Sequence, residues 1–399
     1  MNDAHVRRRV TRRRLLSGFA ALGAASMLGR GFSALAQTGD TVRIGVLLPI
    51  TGDADMYARQ MRMGIETAIA EINDAGGVLG RPLEAAYRDS ETAPPVLPDR
   101  CRELVGEWGA VAVVGPWAAA GRRFASRVLS EFDVPLVNAT NHEGGFCNPA
   151  LFSLGPTMAH DSQPLVRYLD AAGAGKKYFL LGSYPSWQNT MFRRLRFTIG
   201  PLDGHVQGQA LTDSGERNFR PVIRWIQESG AEVVMFCVTR HHGREFIHQA
   251  RDMGLLEQVT IGWIGFNETL AEGLSGDELA RIVTTTPFVA SDTEGGVPAF
   301  VARARRTHGS DTPVGYMALT HYNAVKALEA AWNKAGDVDP AGTVRHLRGL
   351  DFESPTGGVT IDAGTQHAAM QVMVARGTDD GLQVVERLGK VAATPGCEV

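Results

Sequence analysis

Apolar residues in this chain fall into short unbroken runs, separated by stretches in which they recur every three or four positions. Residues 42–49, 111–115, 134–138, 178–182, 233–237 and 259–264 are apolar almost throughout. Strands of that kind, set between helical stretches, predict parallel sheets covered on both faces. After the first run, residues 61–73 place Gly64, Ile65, Ala68, Ile69 and Ile72 on one stripe and Arg62, Glu66 and Glu71 elsewhere. This is the pattern of an amphipathic helix. Asn73-Asp74-Ala75-Gly76-Gly77 supplies left-handed positions that end the helix, and a second β-like run closes at Asp89.

The strand and helix rhythm continues to about Pro156, restarts at Lys177 and runs to Phe288, where a long helical region over residues 297–335 is predicted. Short β-like pieces follow at 358–362 and 368–375. Two similar parallel sheets, with late segments returning to them, predict an α/β chain of two lobes joined by several crossings. A length of 399 residues agrees with two domains. Ligands of open parallel sheets sit beyond the carboxyl ends of the strands, so facing lobes would hold one in a cleft.

Residues 1–36 read as an export signal. An arginine-rich start precedes a weakly apolar stretch at 15–28 and a small-x-small site at Ala34-Leu35-Ala36, after which cleavage is expected. Thr11-Arg12-Arg13-Arg14-Leu15-Leu16 resembles a twin-arginine signal. The apolar stretch is too short to span a bilayer, and no cysteine sits at the cleavage point to carry a lipid. Without these residues the chain keeps 33 of its 40 Lys+Arg and 42 of its 43 Asp+Glu, a formal charge of -9 in place of -3. So acidic a surface argues against nucleic acid as a partner. Four cysteines would enter an oxidising compartment, where a Cys101–Cys147 bridge is the expectation and Cys237, inside an apolar run, reads as a buried thiol.

Ile44 to Gly52, the helix at 61–73 and the Gly76-Gly77-Val78-Leu79-Gly80-Arg81-Pro82 turn together resemble the opening of the Leu/Ile/Val-binding protein family, the type I periplasmic receptors of branched-chain amino acid ABC transporters. The resemblance extends to about Val385. Residues 142–169 and 354–385 resemble the branch containing urea receptors and the short-chain amide sensor. It implies two Rossmann-like lobes joined by a multi-strand hinge: residues 41–157 with 288–350 as the first lobe, 158–287 with 351–390 as the second, and 391–399 as a tail. It also implies a monomeric periplasmic protein that closes on a small solute, urea-like, amide-like or amino acid-like, and hands it to an inner-membrane permease.

Strand ends then nominate the ligand contacts. Tyr57 follows the first strand; Trp117, Ala118 and Ala119 follow the second; Asn138 and Thr140 end the third. From the other lobe come Tyr184 and Trp187, Thr239, and Glu268, with Trp117 and Trp187 as facing walls. In the amino acid receptors the two loops of the first lobe present hydroxyls and backbone N–H groups to a ligand carboxylate. Here Gly115-Pro116-Trp117-Ala118-Ala119-Ala120-Gly121 stands in one of them, leaving Thr140 as the hydroxyl. An α-amino acid is thereby disfavoured, since each donor lost from a desolvated carboxylate costs about 1–3 kcal/mol. Glu268 would either meet a ligand ammonium, as the family often arranges, or cap the following helix.

Catalytic signals are sparse. There is no G-x-S-x-G elbow, no H-E-x-x-H and no phosphate-binding glycine loop, so neither an enzyme nor a cofactor is expected. His241, Glu245 and His248 share one helical face beside His242 and could hold zinc in an exported hydrolase. A solvated helix face accounts for them with fewer requirements. A periplasmic sensor acting through a protein partner is the other alternative to a transport receptor.

Overall fold

The computed structural model describes residues 41–399 apart from Asp53, Tyr184, Ser214, Thr239 and Arg240; the side chains at 185–188 and of His241 are also outside the description. The expected signal at 1–36 and its twin-arginine motif lie outside the described residues. The chain begins β1 (Val42–Leu48), α1 (Asp55–Asp74), β2 (Leu83–Asp89), α2 (Leu97–Arg102), β3 (Ala112–Val114), α3 (Ala119–Ser130), β4 (Leu136–Asn138) and β5 (Leu151–Ser153). It continues through α4 (Ser162–Ala171), β6 (Lys177–Gly182), α5 (Pro185–Ile199), β7 (His205–Leu211), α6 (Arg220–Ser229), β8 (Val233–Cys237) and α7 (His241–Asp252). Next come β9 (Thr260–Trp263), α8 (Glu268–Ala271), α9 (Gly276–Leu279), β10 (Ile282–Thr286), α10 (Val297–His308), α11 (Tyr316–Ala335) and α12 (Pro340–Leu347). Four strands finish it: β11 (Asp351–Phe352), β12 (Val359–Ile361), β13 (Ala368–Thr378) and β14 (Gly381–Val391).

The architecture is α/β with two sheets. The first has the order β2-β1-β3-β4-β5 and is parallel throughout. The second runs β11-β12-β13-β10-β9-β8-β6-β7, with β14 on β13. Its β6 to β10 pairings are parallel, and β13 joins β10 antiparallel. The fully buried β3, β4 and β8, with most of β1 and β6, are the ones legible as apolar text.

Five strands escape the sequence reading: β5, β7, β10, β11 and β14. β5 is only three residues long, β7 alternates exposed and half-buried positions at the sheet edge, and β10 is Ile-Val-Thr-Thr-Thr. The single helical region expected over 297–335 is two helices, because Gly309 (φ +105°) ends α10 and Pro313 precedes the start of α11. α11 buries fourteen of its twenty residues. It packs on α1 so closely that a Cβ on Gly64 would lie 2.0 Å from the Ala318 carbonyl oxygen.

The disulfide expectation is corrected. Cys147 bonds Cys397, with Cα atoms 5.8 Å apart, while Cys101 and Cys237 are buried and take no part in that bond. Cys101 sits among Leu97, Leu104 and Leu129 in an apolar cluster, whereas the loop holding Cys147 meets the C-terminal tail, Gly145 N–H donating to the Pro395 carbonyl at 2.7 Å. Cys237 is the buried thiol expected, and burial raises its pKa well above the ordinary value.

Candidate functional site

The turn after β1 is held from below by one carboxylate. Asp89, at the end of β2, accepts from the backbone N–H groups of Ile50, Thr51 and Glu91 and from the Thr51 hydroxyl. Burial works against its ionisation, but these hydrogen bonds outweigh it and its pKa is lowered. The chain then enters α1 and delivers Tyr57.

Asn138 works in the same way on the neighbouring turn. Its Nδ2 donates to the carbonyls of Gly115 (3.3 Å) and Pro116 (2.7 Å), so Asn138 holds the turn that presents Trp117. Gly115 has φ +110°, and a Cβ there would approach the Leu47 carbonyl oxygen to 2.3 Å, so glycine is required. Trp117 stacks on Tyr57, with ring centroids 5.2 Å apart and planes 11° from parallel. The two rings make one flat wall.

A cavity of about 190 Å³ opens beside that wall. Tyr57, Trp117, Ala118, Ala119 and Thr140, all expected at the site, line it. Helix α3 starts there without a side-chain cap, so no side chain takes the N–H groups of Ala119 and Ala120 at the positive end of the helix. The Thr140 hydroxyl is buried and completes no hydrogen bond. Together they form an end of the cavity that can receive a carbonyl or carboxylate oxygen.

Across from this end stand Val238 after β8, Trp263 and Ile264 at the end of β9, and Leu270 of α8. Trp263 is locked by Phe236 edge-on at 4.6 Å and Phe266 at 4.7 Å between centroids. Gly243 makes room for it, since a Cβ there would fall 2.3 Å from the indole. Tyr316 and Met317 close the cavity from the start of α11, which Gln60 anchors by bonding both the Pro313 carbonyl and Gly315 N–H.

Glu268 does not line the cavity. It is buried within α8, where one oxygen accepts Ala290 N–H at 2.6 Å, and burial pushes its pKa up to about 7 against that bond. Asn267, one residue earlier, caps the helix by accepting Thr269 N–H. Tyr184, Thr239 and the side chain of Trp187 lie outside the described residues, so the second tryptophan wall among the described residues is Trp263. Its position inside a strand run made it read as core. Val238, Ile264 and Gly265 follow strand ends and were open to the rule that nominated the others; Tyr316 and Met317 come from a helix start and carried no such signal.

The histidine face on α7 is occupied otherwise. His248 Nδ1 pairs with Glu278 at 2.8 Å and Glu245 is exposed. Among the described residues, no group of three or more His, Cys, Asp or Glu side chains is arranged to hold a metal ion, and no helix is long and apolar enough to cross a membrane.

A cavity beyond the carboxyl ends of parallel strands in two sheets, walled by aromatics and floored by a helix start, is the arrangement expected of a fold that binds small solutes. The periplasmic binding protein family model matches residues 41–382, and the chain belongs to that family. It is 23% identical over 344 residues to a leucine-, isoleucine-, valine-, threonine- and alanine-binding protein of Pseudomonas aeruginosa, covering 85% of this chain and 90% of the relative. A Leu/Ile/Val-binding protein homologue of Brucella melitensis is 24% identical, covering 79% and 84%. Among solved structures, an R. palustris ABC transporter solute-binding protein in complex with 4-hydroxybenzoate superposes with a TM-score of 0.78 at 20% identity, covering 88% of this chain and 98% of that one. A Streptococcus pneumoniae branched-chain amino acid transporter substrate-binding protein in complex with isoleucine gives 0.77 at 19%, covering 87% and 100%. The fold is the type I periplasmic binding protein fold.

Proposed function

We propose that the chain is the receptor of an ABC importer, a periplasmic monomer exported by its twin-arginine-like signal, that captures a small solute with an apolar body and a carbonyl-bearing end and presents it to a permease. The observation that carries this is the cavity's two-part chemistry. Its walls are Tyr57, Trp117, Trp263, Val238, Ile264 and Leu270, and its polar end is the Thr140 hydroxyl with the start of α3. No acidic side chain among the described residues lines it, which leaves an α-ammonium without a counter-charge.

A volume of about 190 Å³ is below the roughly 300–1,000 Å³ of sites for drug-sized ligands, and suits a solute of a benzoate's or a branched amide's bulk. The solved relatives with 4-hydroxybenzoate and isoleucine are complexes of solutes in that range. A short amide of the kind the sequence resemblance implies has the oxygen for Thr140 and a body for the aromatic wall. Urea has the oxygen but leaves the wall uncovered. No catalytic step is assigned to the site.

Capture would proceed by closure of the two sheet units over the solute, so affinity and the closed state are linked. The test is a thermal-shift and calorimetric panel of benzamide, isobutyramide, benzoate, leucine and urea. Stabilisation by benzamide, isobutyramide or benzoate, exceeding that by urea and leucine, is expected. Tightest binding of leucine or urea would overturn the reading.

A further inference from the structure

Behind the polar end of the cavity lies a buried carboxylate. Asp161 precedes α4 and is 4% exposed. Neither of its oxygens completes a hydrogen bond, although the Asn141 amide and the Ser162 hydroxyl face it closely enough to favour the ionised form. Asn141 follows Thr140 and lines the cavity. Asn141 Nδ2 and the Tyr316 hydroxyl lie 3.6 Å and 3.7 Å from where a Cβ on Gly265 would stand, so the three residues meet at one corner of the cavity. The backbone around Asp161 is fixed, its carbonyl accepting the Thr285 hydroxyl from β10.

We propose that Asn141, oriented by the buried carboxylate of Asp161, reads the polar end of the solute, turning its amide N–H to Asp161 and its carbonyl oxygen to the cavity, where it accepts an N–H of a primary amide. The proposal rests on the solute-capture reading and sharpens its ligand class. An ionised carboxylate can only accept, so its amide neighbour must donate to it. That leaves Asn141 Oδ1 as the amide atom not committed to the carboxylate. Thr140 and the α3 N–H groups then take the amide oxygen, and Asn141 takes the amide nitrogen. A carboxylate of the same shape would bring an acceptor against an acceptor.

The arrangement is linked to pH. Burial pushes Asp161 up to about 7, against the opposing influence of the nearby Ser162 hydroxyl and Asn141 amide. Protonated, it can donate to Asn141, which frees the amide to turn and lose its preference. The other groups around it do not change charge near pH 7. Tyr316 and Cys237 are raised well above their ordinary values by burial, His142 is lowered well below its own, and His160 is lowered to about 4, its ring held by Thr157 and the Val391 carbonyl.

The experiment is calorimetry with two matched pairs, benzamide with benzoate and isobutyramide with isobutyrate, between pH 5.5 and 8.5. For the natural protein, amide affinity is expected to rise about tenfold across the range while carboxylate affinity does not rise. Asp161→Asn should lower amide affinity about tenfold at pH 8, leave carboxylate affinity unchanged or raised, and flatten the pH profile. Asn141→Ala should match it on the amides. Equal losses for both members of a pair, or a flat profile in the natural protein, would overturn the role of Asp161. Preference for the carboxylates would overturn the amide assignment and leave solute capture standing, whereas binding of none of the four would remove both.

Discussion

Thr140 carries the polar end of the cavity, and its role follows from what its neighbours lack. The family's second loop would add hydroxyls, but here Ala118, Ala119 and Ala120 occupy it and only backbone N–H groups remain. Thr140→Ala should therefore weaken amide binding about fivefold to tenfold, the worth of one hydrogen bond of about 1 kcal/mol, with little change in melting temperature, because the hydroxyl makes no hydrogen bond within the protein. A melting temperature that falls along with affinity would show a structural role instead. Asn138 and Glu268 mark the limit of residue-level reading. Both are polar residues near strand ends, yet one holds a turn and the other answers a backbone N–H from the crossing near Ala290. Sequence position brings a residue to the rim; side-chain direction, set by packing, decides whether it faces in.

At the scale of elements, the α1 and α11 pair positions both Tyr57 and Tyr316 and depends on one small residue. Gly64 lies inside a helix, where alanine is intrinsically better by roughly 1 kcal/mol. The added methyl would meet the backbone of α11 at Ala318, which cannot swing aside. Gly64→Ala should accordingly destabilise the protein by about 1–3 kcal/mol or more, read as a lower denaturant midpoint. A neutral or stabilising result would mean the two helices separate easily. The stripe containing Gly64 was plain in the sequence, since helical periodicity is a local property. That its partner would be a helix more than 250 residues later was not, because nothing local encodes which apolar face meets which.

For the whole molecule, the Cys147–Cys397 bond closes 250 residues and ties the tail to the loop after β4. Replacing both cysteines by serine should cost about 2–5 kcal/mol of stability, measured by unfolding with and without reductant; equal midpoints would show that the tail contributes nothing. Buried titratable groups set the pH response. His160, His321 and His367 are lowered to about 4, chiefly by burial, and burial also lowers His142 well below its ordinary value. The unfolded chain therefore binds more protons between pH 4 and 6.5, and stability rises with pH across that window. Asp161 and Glu268, raised to about 7, act oppositely: between roughly pH 4 and 7 the folded state holds their protons more tightly, so their contribution falls as pH rises. Four histidines outweigh two acids below 6.5, and above it only the acids still titrate. The melting temperature should climb from pH 4.5 to about 6.5 and then level or dip slightly; a steady rise through pH 8 would contradict the protonation states assigned to the two acids. By itself the sequence determined the α/β class, most of the parallel strands, the family and five cavity residues, because unbroken apolar runs and strand ends are local signals. Only the tertiary structure decided the Cys147–Cys397 pairing, the second aromatic wall at Trp263, the inward faces of Tyr316 and Met317, and the placing of Asp161 behind Asn141, since each depends on which distant segments pack together.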